Sequence, residues 1–484
     1  MSRAGSNIPG PDVQQHEPHR PEAETAAAPP SALRLAVSRG FVTLLCATAV
    51  PVMLQSLVSS SRTLIDSFLV SHLGTDEVAA IGYAGRVIYV IIMATLGMAD
   101  GGAVIVAQFW GNGSHEKTRQ ATAINVAVAG SVATAAFVIC FTGSKWIAGL
   151  GTDDPSVVAL SAGYIRIASA MIIPFAVISA LAATLRCLGE AKVAMRCTLA
   201  GAVIHILIAY ALVFGVGAIP ALGLRGAAWA TVISAYIECL FYVVYIYGTR
   251  HLMAFGLRDI RDGLRNVLLK KILVVGGPVS LSSAAWASGI LVYAMLVGQG
   301  STQNLAALSM VSTLESAAIA VINGVSTASA VIVGNSLGEN REQDHTWRTS
   351  KALLIWNTAI AFTCGILLLL TSLFVGVIYS DVDGETISLA RDATVVLAAL
   401  FIFRAMSMTL QNGLLRAGGD TLYILYADLS CQWIVAIPLT YFAAITLHLP
   451  FPVIFVAIYT EEIAKTVASS YRVYRRKWMR RFID

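Results

Sequence analysis

Two stretches of this chain repeat one another in register. At a constant offset of 227 residues, Pro51 falls on Pro278, Leu69-Val70 on Leu296-Val297, Ala79-Ala80 on Ala306-Ala307 and Gly111 on Gly338. Ala103-Val104-Ile105-Val106 falls likewise on Ala330-Val331-Ile332-Val333. Further along, at an offset of 230, Leu185-Arg186-Cys187-Leu188-Gly189-Glu190 falls on Leu415-Arg416-Ala417-Gly418-Gly419-Asp420. Both copies are almost continuously apolar. A membrane chain built from two half-molecules is the plan of a transporter, with the transported molecule held between the halves.

The composition leaves no room for a soluble fold. Hydrophobic residues make up 57% and charged residues 13%, against a charged share near ~25% in soluble proteins, and the mean hydropathy is +0.72. Uncharged runs such as Phe41–Ser61 and Leu353–Ser380 are long enough to cross a hydrocarbon layer of roughly 30 Å as helices. The short alternating segments of a β-barrel are missing. About twelve helical segments emerge, near 39–71, 78–110, 118–143, 157–184, 192–215, 224–248, 270–298, 304–337, 350–379, 388–413, 421–447 and 452–476. The expectation is an all-α integral membrane protein with two six-helix lobes. A pseudo-twofold along the membrane normal relates them, because an even number of spans returns the second half to the same face.

Loop charge sets the orientation. Arg250, Arg258, Arg261, Arg265, Lys270 and Lys271 follow the sixth segment, and Arg472, Arg475, Arg476, Lys477, Arg480 and Arg481 crowd the end. The alternate loops are acidic, with Asp76, Glu77, Asp153, Asp154, Asp381 and Asp383. The positive-inside rule therefore places both termini in the cytoplasm of a plasma (bacterial inner) membrane. The expected divisions are a disordered cytoplasmic tail (1–38), an N-terminal lobe (39–248), a cytoplasmic linker (249–270), a C-terminal lobe (271–476) and a basic tail (477–484). Residues 1–38 have no apolar core of the kind a cleavable signal needs. Seven scattered cysteines form no metal-binding spacing and read as small core residues. A net charge of +5 is too small to imply a nucleic-acid partner.

Several residues in order resemble the multidrug and toxic compound extrusion (MATE) family. They are Pro51, Ile65-Asp66, Leu73-Gly74, Val78-Ala79-Ala80, Val106-Ala107-Gln108 with Gly111, both copies of Leu-Arg-x-x-Gly-acid, Gly226-Ala227-Ala228-Trp229-Ala230-Thr231, and Glu462 with Lys465. The similarity runs from about residue 40 to 478. It implies a V-shaped exporter that expels amphiphilic or cationic small molecules in exchange for H+ or Na+, as a monomer in the lipid bilayer and with no other cofactor. Asp66 matches the family's proton-linked aspartate of the first helix. Where the family often continues with Asn and Asp on the fifth helix, this chain has His205 and Ala209, and it keeps the family's threonine as Thr231. The acids that bind cation in the C-terminal lobe of some members are replaced by Trp286 and Ala405, which favours protons over sodium. The resemblance also implies that the first helix bends on protonation, with Pro51 as the natural hinge.

An ionisable side chain at membrane depth is costly and persists when it faces a cavity or a partner. Asp66, as a desolvated carboxylate, can hold a proton, or it can pair statically with Arg62 one turn earlier; Arg86 is a further candidate partner. His205 titrates near neutrality and reads either as a satisfied core residue or as part of the Asp66 proton site. Asp100, among the small residues of Gly97–Gly102, reads as a hydrogen bond within its lobe or as a step on the proton path. Glu315, whose repeat mate is Ile88, can attract a cationic substrate or pair with Arg404. Thr231 and Trp286 are candidate cavity residues. Glu238, Glu461 and Glu462 read as structural, with Glu462 beside Lys465. Arg186 and Arg416, with the acids of their own motifs, are expected to staple loops into an inner gate latch.

No GxxxxGK[ST], HExxH or nucleophile–base set is present, so neither ATP hydrolysis nor membrane enzymology is indicated. A flippase for lipid-linked saccharides, or a dedicated exporter of one metabolite, shares the two-lobe plan. A flippase cavity would need Arg and Lys in excess to hold pyrophosphate, whereas intramembrane acids here at least match the cations.

Overall fold

The computed structural model describes residues 31–72, 75–150, 154–217, 220–265, 267–339, 343–379 and 382–482. The tail through residue 30, Leu73-Gly74, Asp153 and Asp381 lie outside it, as do the side chains of Asp76, Val78 and Ala79.

The first lobe is built from α2 (Arg39–Ser71), α3 (Thr75–Gly111), α4 (His115–Gly149), α5 (Pro155–Ala168) continued by α6 (Ile172–Cys187), α7 (Ala191–Phe214) and α8 (Leu224–Gly248). The second comprises α10 (Leu268–Gly300), α11 (Thr302–Gly338), α12 (Gln343–Ser372) with the short α13 (Val375–Ile378), α14 (Gly384–Met408), the pair α15 (Thr421–Asp428) and α16 (Ile437–Tyr441), and α17 (Phe451–Tyr474). Among the described residues, eleven helices are long and apolar enough to span a membrane. The twelfth, α17, is interrupted by Glu461, Glu462 and Lys465, all buried, so its polarity is hidden inside the lobe. The helices α3 and α11 run to 37 residues each, about 55 Å at 1.5 Å per residue, and so project past the hydrocarbon layer.

Three segments outside the spans are ordered. Within the expected disordered tail, Ala32–Ala36 form a helix, α1, capped by Ser31, and the Trp356 indole donates to Ala36 O at 2.9 Å. The linker contains a helix of its own, α9 (Leu257–Arg265). Asp259 of α9 is buried and pairs with Arg119 at 2.7 Å. The basic C-terminal tail is docked. Trp478 is fully buried in a cluster with Phe41, Trp347 and Leu414, because its large apolar surface outweighs the charge of its neighbours.

The lobes meet over the halves of their helices nearest the chain termini. There α3 lies against α10 so closely that a Cβ on Gly101 would stand 2.4 Å from Gly276 Cα, which is why small residues line the seam. Ser280 Oγ donates to Ala94 O at 2.7 Å, and Asn323 Nδ2 donates to Ser56 Oγ at 2.9 Å. Among the described residues these inter-lobe hydrogen bonds and close approaches stop near the helix midpoints, and the far halves of α3 and α11 carry exposed positions such as Tyr89 and Ser309.

Candidate functional site

In the first lobe, His205 of α7 and Asp66 of α2 come together, Nε2 to Oδ1 at 2.9 Å. The imidazole is 2% exposed and the carboxylate 18%. His205 Nδ1 meets Ser234 Oγ at 3.0 Å, and the Ser234 hydroxyl donates to Thr231 O at 3.1 Å. The Nε2–Oδ1 bond needs one hydrogen between the two atoms, carried by the imidazole or by the carboxyl. Either AspH with neutral His, or Asp⁻ with HisH⁺, satisfies that bond. The Thr231 hydroxyl donates to Ala227 O at 3.0 Å. Thr231 thus joins the Asp66–His205–Ser234 cluster through its carbonyl. Ser234 escaped the sequence reading because a lone serine in an apolar helix carries no distinctive signal.

Arg62 does not pair with Asp66. Its Nη2 donates to Glu238 Oε2 and to Thr198 O, both at 2.8 Å. The approach is possible because Gly201 lies alongside: a Cβ there would stand 2.7 Å from Glu238 Oε2. No contact joins Arg86 to Asp66 among the described residues, so the second partner considered for Asp66 is also absent.

The second lobe holds an extended buried network. The Tyr459 hydroxyl donates to Glu315 Oε1 at 2.5 Å, and Arg404 Nε lies 4.0 Å from the same oxygen. The Arg404 guanidinium bonds Glu462, which also accepts from Ser407, and lies over the Trp286 ring at 5.4 Å. Lys465 pairs with Glu461 at 2.5 Å and Asp428 at 2.9 Å, not with Glu462 as the sequence reading expected. Tyr293 donates to Glu461 at 2.7 Å and Ser282 to Asp428. Four carboxylates therefore share two cations. Glu315 is held by Tyr459 and Arg404, which leaves it less free for a cationic ligand than expected.

The two repeated Leu-Arg-x-x-Gly-acid motifs part company from their own acids. Arg186 Nη2 and Arg416 Nη1, one from each lobe, approach the two oxygens of Asp100 at 3.7 and 3.2 Å. The motif acid Glu190 accepts instead from Tyr245 at 3.1 Å and meets His251 at 3.0 Å. Asp420 binds Arg472 at 2.6 Å and Arg480 at 3.2 Å. Asp100 therefore has a partner in its own lobe, Arg186, and a second across the seam, Arg416. Pro51 lies inside the continuous α2, next to the seam, where Gly324 approaches Ala49 O.

The MatE family profile matches residues 51–211 and 278–442, the two halves of the repeat. A probable multidrug resistance protein NorM of Agrobacterium fabrum is 27% identical over 387 residues, 79% of this chain and 82% of that protein. The probable multidrug resistance protein YoeA of Bacillus subtilis is 24% identical, covering 81% and 84%. In fold, the chain is similar to a MOP superfamily transporter from Pyrococcus furiosus, described as having a binding pocket of reverse polarity (TM-score 0.81, 19% identity, 92% of this chain and 97% of that one). It is also similar to a multidrug resistance MATE transporter in an outward-facing conformation (TM-score 0.79, 18% identity, 90% and 96%). With both repeats matched and the two-lobe bundle in place, the chain belongs to the MatE family of multi-pass membrane transporters and is not an enzyme.

Proposed function

We propose that this protein is a secondary-active exporter of amphiphilic compounds, organic cations among them, coupled to proton entry by alternating access between its lobes. The observation that carries the reading is the Asp66–His205 pair, whose Oδ1 and Nε2 stand 2.9 Å apart while Arg62 is occupied by Glu238. Proton arrival or departure changes the charge of the contact between α2 and α7 at that point, and α2 packs against α11 of the other lobe. Protonation is thereby linked to lobe geometry, with Pro51 as the hinge. The relatives' names as multidrug resistance proteins support the substrate class.

Loop charge supports a plasma-membrane orientation with both termini cytoplasmic. The sealed half is then the inner one and the exposed halves of α3 and α11 face outward. The reading needs no cofactor beyond the coupling ion and one copy of the chain. The experiment is transport of a fluorescent cation in proteoliposomes with proton or sodium gradients imposed separately. Asp66→Asn keeps shape and hydrogen bonding but removes the titrating group, so proton-driven transport should fall to background while folding persists. Wild-type transport that follows sodium alone, or an Asp66→Asn variant that pumps at the wild-type rate, sinks the reading.

A further inference from the structure

The intramembrane carboxylates described above all have partners: Asp66 with His205, Asp100 with Arg186 and Arg416, Glu238 with Arg62, and Glu315, Asp428, Glu461 and Glu462 within the second-lobe network. Arg86 differs. It lies within the candidate span Ala80–Gly111, its side chain is exposed, and no acid pairs with it among the described residues. It stands eleven residues, about three turns, before Gly97 and so on the same face of α3. Gly97 is the point at which that face meets the other lobe, where a Cβ would stand 2.7 Å from Val279 O. Arg86 therefore looks into the cleft above the seam. Tyr89, on the next turn, is 41% exposed.

The facing wall is hydroxyl-rich. Ser309 and Ser316 are two and one heptads before Asn323, which bonds Ser56 of the other lobe at 2.9 Å, so they share its face of α11. Thr313 is the repeat mate of Arg86 and Ser316 that of Tyr89. Ser309, Thr313 and Ser316 are all exposed, and each donates to the carbonyl four residues earlier, at 3.0, 3.0 and 2.7 Å. Their oxygens remain able to accept from a ligand or water. An exposed hydroxyl row at this depth fits a wet cleft rather than lipid.

We propose that Arg86 is an anion-reading subsite of this cleft, binding a carboxylate carried by the substrate, so that zwitterionic amphiphiles are preferred over their neutralised esters. The proposal rests on the exporter reading. A guanidinium grips a planar carboxylate through two parallel charge-assisted N–H···O bonds, whereas an ester carries no charge and accepts only weakly.

The test uses two dyes that differ at that group: rhodamine 110, with a free carboxylate, and rhodamine 123, its methyl ester. Binding is measured by fluorescence polarisation with the full chain in nanodiscs of zwitterionic lipid. Arg86→Gln should weaken rhodamine 110 by roughly tenfold more than rhodamine 123, and Arg86→Lys should restore part of the difference. Equal loss for both dyes, no loss for either, or no binding of rhodamine 110 by the wild type overturns the subsite. Repeating the titration in phosphatidylglycerol nanodiscs separates a lipid phosphate from a substrate carboxylate. Disappearance of the acid preference there assigns the site to lipid and overturns the proposal. Proteoliposome transport keeps the two readings apart. Arg86-dependent binding without gradient-driven dye movement removes the exporter reading and leaves the subsite. Gradient-driven movement with no Arg86-dependent acid preference does the reverse.

Discussion

Lys465 lies between Glu461 and Asp428 at 2.5 and 2.9 Å, with its side chain 4% exposed. Removing one member of a buried ion pair leaves an uncompensated charge and costs about 3–5 kcal/mol, whereas replacing the whole set by neutral groups is far milder. Lys465→Met should therefore lower the thermal midpoint in detergent sharply, and adding Glu461→Gln and Asp428→Asn should recover most of the loss. A triple variant no more stable than the single one would show that these groups are not a closed network. Arg62 allows a complementary test. Its partner is Glu238, not Asp66, so Arg62→Gln should reduce thermal stability while the pH dependence of transport stays where it is. A shift of that pH profile comparable to the effect of Asp66→Asn would return Arg62 to the proton site.

At the scale of helices, the two lobes begin corresponding elements with the same device. Asp154 accepts from Ser156 N at 2.9 Å at the start of α5, and Asp383 accepts from Thr386 N at 3.0 Å at the start of α14. Those backbone donors stabilise the charged form and hold both carboxyls below the usual aspartate range. A folded-state value below the unfolded one, near about 3.9, means that each cap contributes fully above that pH and is lost as pH falls through the folded value. Amide exchange over residues 384–387 should be faster in Asp383→Ala than in the wild type at neutral pH, and the difference, taken at matched pH, should shrink on acidification. A difference that is constant with pH would mean the carboxylate charge plays no part. The sequence reading took Asp154 and Asp383 only as loop acids, whereas the spans were legible because a lipid-facing helix has to be apolar along its length. Partner choice was not. Arg62 had Asp66 one turn away in sequence, yet Glu238, 176 residues on, holds it. The wider π-type turns at Thr409–Leu415 and Leu429–Ala436 left no mark in the hydropathy either, since changing the backbone repeat leaves composition untouched.

Across the whole molecule, closure at the termini-bearing end depends on groups drawn from both lobes. Asp100 of α3 receives one arginine from each copy of the repeated motif, although its own repeat mate is Thr327. One carboxylate thus serves two symmetric cations, and the clamp is broken when the lobes separate. The docked C-terminal segment crosses the same seam. Gln108 Nε2 of α3 donates to Ala417 O at 3.2 Å and Arg480 O at 3.1 Å, and its Oε1 accepts from Phe482 N at 2.8 Å. Lys271 Nζ donates to Phe482 O at 2.5 Å. Cys187 reports on this seam: it is 3% exposed, and its carbonyl accepts from Asn335 of the other lobe at 3.1 Å. Neutralising the partly exposed clamp with Asp100→Asn, or releasing the segment with Gln108→Ala, should each cost the closed state about 1–2 kcal/mol, a five- to thirtyfold rise in the open population. Maleimide modification of Cys187, followed residue by residue by mass spectrometry so that exposed Cys46 serves as internal reference, should accelerate by that factor in either variant. If Cys187 reacts at the wild-type rate in both, the α3–α10 packing around Gly101 and Gly276 closes this end without help from the charges, and transport should then be insensitive to either substitution.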